Sequence, residues 1–124
     1  MNIMSIDDSK AMRLMIKNSV DILGYGFVEA ENGKQALALL ETAYADIGLI
    51  LLDWNMPVMD GMETLSALKH DERFKHIPVT MVTTEVERVK VIAAIAKGAK
   101  NYVMKPFSQE DLVAKILESL GMGL

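Results

Sequence analysis

The chain has 124 residues, no cysteine and a net charge of −4. Its length predicts one domain over residues 1–124, and the lack of Cys excludes a disulfide framework, a thiol nucleophile and a thiolate metal site. Hydrophobic residues at 51% and charged residues at 24% exclude a disordered chain, and the scattering of its 13 basic side chains excludes a concentrated nucleic-acid-binding face.

Asn2 to Ile6 is a short apolar run that stops at Asp7 and Asp8. Ser9 is placed to cap a helix whose positions 12, 15, 16, 19, 20 and 23 follow the i, i+3, i+4 rule. That stripe puts Met12 and Met15 inward, and Gly24 ends the helix. Phe27 to Ala30 reads as a strand, Asn32-Gly33 as a turn, and Ala36, Leu37 and Leu40 mark a second helix. Ile47 to Leu52 is apolar toward both faces, as a central parallel strand requires. It is also the longest apolar run, too short to cross a bilayer, so no membrane insertion is expected. Pro57 and Gly61 break the chain, and Met62, Leu65 and Leu68 line a third helix. Ile77 to Val82 is a fourth strand. Val89, Ile92, Ile95 and Ala96 are the expected inward stripe of a fourth helix, stopped by Gly98. Asn101 to Met104 is a fifth strand, and Ser108 caps a last helix carrying Leu112, Ile116 and Leu120. His70 and His76 fall in a charged loop and read as solvated. The start of the chain lacks a signal peptide's basic segment, so a cytoplasmic location is expected.

This is βα repeated five times. Such alternation predicts an α/β fold, a doubly wound five-stranded parallel sheet with helices on both faces. The site of such a fold lies at the carboxyl ends of its strands. Strand 1 ends in Asp7 and Asp8, strand 3 in Asp53, strand 4 in Thr83 and Thr84, and strand 5 in Lys105 followed by Pro106. Taken singly, an Asp pair is more often a helix cap and a lysine a solvated surface group. Polar residues at four strand ends on one edge make those separate explanations improbable together.

Three carboxylates at one place raise one another's pKa unless a cation joins them. Oxygen ligands without His or Cys point to Mg²⁺, with Mn²⁺ an alternative. The sum of −3 from the aspartates, +1 from Lys105 and +2 from the metal is zero, so the loaded site admits a phosphoryl group that the bare site repels. No GxxxxGK[ST] or GxGxxG phosphate loop is present.

With Asp7-Asp8, the run Asp53-Trp54-Asn55-Met56-Pro57-Val58-Met59-Asp60-Gly61, Thr83, and Tyr102-Val103-Met104-Lys105-Pro106-Phe107 in this order, the sequence resembles the response-regulator receiver domain over essentially its full length. Thr83-Thr84-Glu85 and the segment from Ile92-Ala93-Ala94 to Gly98-Ala99 lean toward the single-domain chemotaxis regulators. The resemblance implies the flavodoxin-like strand order 2-1-3-4-5. It implies Asp53 as acceptor of a phosphoryl group from a histidine kinase, in a Mg²⁺-dependent reaction. Asp8 and Asp53 would ligate the metal directly, Asp7 through water, and Asn55 through its backbone carbonyl. Lys105 would pair with Asp53 and then with the phosphoryl group, Thr83 would hydrogen-bond it, and Tyr102 would be the switch aromatic. The Lys105-Pro106 bond is cis in such proteins. Two departures are Thr84, bulkier than the residue often found there, and Val58, a variation expected to be without effect.

The resemblance makes the chain a signalling protein rather than an enzyme, catalysing only its own phosphoryl transfer and dephosphorylation. Its expected partners are a histidine kinase, a flagellar motor switch protein and a phosphatase, and it is expected to be a monomer. Another expectation is a stand-alone receiver serving a different pathway as relay or phosphate sink. An aspartyl-phosphate phosphatase is a remote third, because Asn55 stands where its second acid/base Asp would be. The expected output surface joins Val86, Lys90, Val91 and Ala94, outside or bordering the helix 4 stripe, with Tyr102 and Lys115, which the resemblance adds. Two valines beside a lysine suit contact with a short partner segment.

Overall fold

The run Ile47–Asp53 forms the central strand β3 of a computed structural model that describes residues 1–84 and 86–122. Glu85, part of the sequence resemblance, lies outside the described residues. In chain order the other elements are β1 (Asn2–Ile6), α1 (Lys10–Ile22), β2 (Gly26–Ala30), α2 (Gly33–Ala43), α3 (Gly61–Lys69), β4 (Val79–Thr84), α4 (Val91–Ala96), β5 (Asn101–Lys105) and α5 (Gln109–Ser119). The strands are all parallel in the order β2-β1-β3-β4-β5, as expected.

Alternation along β3 divides the core between the two faces of the sheet. Leu49 and Leu51 pack with Ile16, Val20, Leu112 and Ile116 beneath α1 and α5. Ile50 and Leu52 pack with Leu40, Leu65, Leu68 and Ala94 beneath α2, α3 and α4. Burial on both faces explains why β3 reads as an unbroken apolar run.

Several helix starts are fixed by their own side chains. Ser9, Asn32, Asp60 and Ser108 each accept a backbone N–H from the first turn. Asp60 with Glu63, and Ser108 with Asp111, form reciprocal capping boxes. Asn32, read as a turn residue, is thus the cap of α2. Gly24 and Gly98 take positive φ where α1 and α4 end.

Two expected stripes differ from the structure. On α1, Met15 is 48% exposed, and Arg13 instead lies buried in line with Ile16 and Val20. On α4 the phase is inverted. Val91 and Ala94 are buried, whereas Val89, Ile92 and Ile95 are exposed. A 3₁₀ turn over Arg88–Lys90 precedes α4, and its tighter winding shifts the angular phase of the helix it leads into. The small Ala94, rather than a β-branched residue, then meets the sheet.

Candidate functional site

The strand register brings the polar ends together. Ile6 pairs with Leu52, Asp53 with Val82, and Thr84 with Lys105, so β1, β3, β4 and β5 finish at one edge. Carboxylate oxygens of Asp7, Asp8 and Asp53 lie within 4.8 Å of one another. Asp7 and Asp53 are buried and Asp8 is exposed.

Each buried carboxylate is held by backbone. Asp7 accepts the Ser9 N–H at 2.8 Å, and Asp53 accepts the Trp54 N–H at 2.9 Å. Lys105 Nζ reaches from β5 to Asp53 Oδ1 at 3.3 Å and faces Asp7 Oδ2 at 3.7 Å. Burial is the main force raising the Asp53 pKa, from 3.8 to about 6, and the negative charge of Asp7 adds to it against the opposing pull of Lys105. Burial likewise raises Asp7, with the Ser9 hydrogen bond and Lys105 opposing it.

This donor set suits a hard divalent cation. Asp7 Oδ2 is buried and makes no hydrogen bond among the described residues, so the fold pays for a desolvated anionic oxygen that a cation would satisfy. Three carboxylates against one lysine leave a deficit of two positive charges, the charge of Mg²⁺ or Mn²⁺.

Close packing behind Asp53 is set by Gly61. Its N–H donates to Trp54 O at 2.8 Å, and a Cβ at this position would collide with the Asp53 carbonyl oxygen. Trp54 is buried in the α2/α3/α4 core, with Lys90 Nζ 5.8 Å from the centre of its ring. Thr83 is fully buried, and its hydroxyl donates to the Thr84 carbonyl at 3.3 Å rather than to Asp53. The Lys105-Pro106 bond is cis, as the resemblance implies.

Val58 departs from expectation. It takes φ +70° between Pro57 and Met59, whose N–H bonds the Pro57 carbonyl at 2.7 Å. A β-branched residue is strained in the left-handed region, so Val58 carries a local backbone cost.

Of the expected output residues, Val86 is 88% exposed and Lys90 is exposed. Tyr102 and Lys115 are half-buried, with the Lys115 ammonium 5.4 Å from the centre of the Tyr102 ring. Both border a groove of about 400 Å³ between β5 and α5, also lined by Phe107 and Asp111. Val91 and Ala94 do not belong to this surface. They are core residues, because the phase of α4 turns them toward the sheet.

Two residues at the site were missed from the sequence. The buried Arg13 donates through Nη1 to the Asp7 carbonyl and through Nε to Glu29 Oε1, each at 2.6 Å, tying the β1–α1 loop to the end of β2. Its signal was an alternative α1 stripe of 13, 16 and 20. The buried Glu87 accepts from Asn55 Nδ2 at 2.6 Å, and no periodicity announces it.

The response regulator receiver domain family matches residues 3–117. Chemotaxis protein CheY1 of Helicobacter pylori is 43% identical over 122 residues, 98% of each chain. The CheY homolog of Campylobacter jejuni is 40% identical over 124 residues, 99% of this chain and 95% of that one. The structure of chemotaxis response regulator CheY4 of Vibrio cholerae superposes with a TM-score of 0.87 at 32% identity, covering 95% of this chain and 97% of that one. By sequence, by fold and by what gathers at its strand ends, the chain belongs to the response regulator receiver family, as a CheY-like chemotaxis regulator.

Proposed function

We propose that the protein is a phosphorylation switch that takes a phosphoryl group on Asp53 from a histidine kinase. The carrying observation is the cluster of Asp7, Asp8, Asp53 and Lys105, in which a buried carboxylate sits between a cation and two further anions. An Asp53 carboxylate oxygen attacks the phosphorus of the phosphohistidine. A P–O bond forms, the P–N bond breaks, and the imidazole leaves with its electron pair. Asp8, Asp53 and the Asn55 carbonyl would hold Mg²⁺, with Asp7 acting through water. When bound, the ion supplies charge neutralisation for the phosphoryl oxygens. Lys105 already touches Asp53 and needs little movement to pair with the new phosphate. The acyl phosphate is later hydrolysed by water, so the only chemistry is the protein's own gain and loss of phosphate.

The phosphoryl group adds negative charge beside Thr83, whose hydroxyl turns from the Thr84 carbonyl toward a phosphoryl oxygen. Tyr102 and Lys105 share β5, next to β4, which gives the change a short route to α4 and α5. The proposed output surface is Val86, Lys90, Tyr102 and Lys115, joined by the exposed Val89 and Ile92. Its partner by family likeness is a flagellar motor switch protein. Asp53→Asn is expected to fold and to take no phosphoryl group from acetyl phosphate, and chelation is expected to stop uptake in the native protein. Robust labelling of Asp53→Asn, mapped to another residue, overturns the assignment.

A further inference from the structure

Outside the metal cluster, one buried carboxylate at the same sheet edge has no place in this reaction. Glu87 directly precedes the 3₁₀ turn that leads into α4, yet it is only 8% exposed. Its Oε1 accepts both the Thr84 N–H at 3.1 Å and the Thr84 hydroxyl at 3.0 Å. Its Oε2 accepts Asn55 Nδ2 at 2.6 Å, from the loop after β3. The Glu87 N–H in turn donates to the Thr84 carbonyl at 3.1 Å. One side chain thus clasps the ends of two adjacent strands, β3 and β4, beside Asp53. Hydrogen bonds to an ionised acceptor are about twice as strong as neutral ones, so this clasp dominates the local bonding.

We infer that Glu87 is a positioning residue that latches the β4–α4 loop to Asn55 in the unphosphorylated protein and thereby slows phosphoryl uptake at Asp53. The inference rests on the phosphorylation reading above and adds a brake to it. The mechanical part follows from Thr84. Its carbonyl holds the Thr83 hydroxyl away from Asp53, and its amide and hydroxyl are both held by Glu87. Thr83 cannot turn to a phosphoryl oxygen without giving up the carbonyl of a residue pinned at two other atoms. The electrostatic part has the same sign. Glu87 brings a fourth carboxylate to an edge that an anionic phosphoryl donor must approach. Asn55 is the other half of the latch. Its side chain is committed to Glu87, while its backbone carbonyl is free of that task and available to the metal.

The experiment compares wild type, Glu87→Gln, Glu87→Ala and Thr84→Val in two measurements. The first is amide hydrogen exchange without phosphoryl donor, which tests the latch whether or not Asp53 is the acceptor. Glu87→Ala is expected to speed exchange of the Thr84 amide about tenfold, the scale of losing one hydrogen bond to a charged group. Thr84→Val loses only the hydroxyl donor and is expected to give a smaller increase. The second is the rate of acetyl phosphate uptake at saturating Mg²⁺. It is expected to rise about three- to tenfold in Glu87→Ala, with Glu87→Gln between it and wild type because charge is lost and acceptor capacity is only reduced. A Thr84 amide that exchanges at the wild-type rate in Glu87→Ala overturns the latch. Uptake that is unchanged or slower in both Glu87 variants, at an unaltered melting temperature, overturns the brake. Failure of wild type itself to take up phosphate overturns the phosphorylation reading and the brake with it, and the exchange rates alone then decide the latch.

Discussion

Asp53 is placed where its charge costs stability, and that cost is the measure of how strongly the site is prepared for a cation. Its carboxyl is raised from 3.8 to about 6 in the folded protein. A raised value means that the folded chain binds the proton more tightly than the unfolded chain. Between pH 3.8 and 6 the unfolded carboxyl is ionised while the folded one holds its proton. The contribution of Asp53 to stability therefore falls as pH rises through that window, and the full cost is present above it. By linkage the cost is about 3 kcal/mol. Asp53→Asn, which removes the charge, is expected to raise the melting temperature at pH 7.5 by about 10 °C without metal. The gap should close as the pH is lowered to 4, and Mg²⁺ should narrow it at pH 7.5 by stabilising the wild type. Thermal melts of both proteins at the two pH values, with and without Mg²⁺, check this. A gap independent of pH would mean that the ionisation of Asp53 is not its source.

Helix α4 marks the boundary between what sequence patterning determines and what packing decides. From Val89 to Ala96 only Lys90 is polar, so every angular phase of this segment finds apolar residues. The largest of them read as core, but the 3₁₀ turn and the close approach of the sheet select Val91 and Ala94. The two assignments give opposite mutational results. Ile92→Asp is expected to change unfolding free energy by no more than about 0.5 kcal/mol, as at other exposed positions. Ala94→Asp buries an unpaired charge and is expected to cost more than about 3 kcal/mol. Urea unfolding of the two variants decides between the phases, and a reversal of their order returns Ile92 to the core. Where polarity does alternate, the reading is firm. The strand ends at Asp7, Asp53, Thr83 and Lys105 are clear because buried runs stop there and four coincidences are hard to explain separately. Arg13 and Glu87 are not, since a charged residue on a helix or turn is exposed by default and only tertiary contact shows otherwise. Caps such as Asn32 are half visible, as turn residues whose helix start only the backbone fixes.

Across the molecule, β4 is anchored differently at its two ends. Near its start, the Thr80 hydroxyl lies 2.6 Å from that of Ser119 on α5, in the core, and this pair fixes the strand to the helix layer. At its far end the Thr83 hydroxyl donates to the carbonyl of its neighbour Thr84. On the proposed switch, a strand fixed to the helix layer at one end and held at the other by Glu87 would pass a change at Asp53 to its tip and to the α4 turn beyond once that clasp opens. Met81 pairs with Tyr102 and Thr84 with Lys105, so the tip of β4 lies against the segment of β5 that carries both the aromatic and the lysine. Thr83→Ala is therefore expected still to accept phosphate from acetyl phosphate, since Asp53, Lys105 and the metal ligands are intact, but more slowly than wild type, since the hydroxyl that would receive a phosphoryl oxygen is missing. Phosphorylation of wild type should alter amide exchange both around Asp53 and over residues 86–92 and 101–105. In phosphorylated Thr83→Ala the change should remain around Asp53 alone, because the hydroxyl that would follow the phosphoryl oxygen is gone. Equal changes over residues 86–92 and 101–105 in both proteins would mean that the loop responds to charge without Thr83, and Lys105 would then be the coupling group.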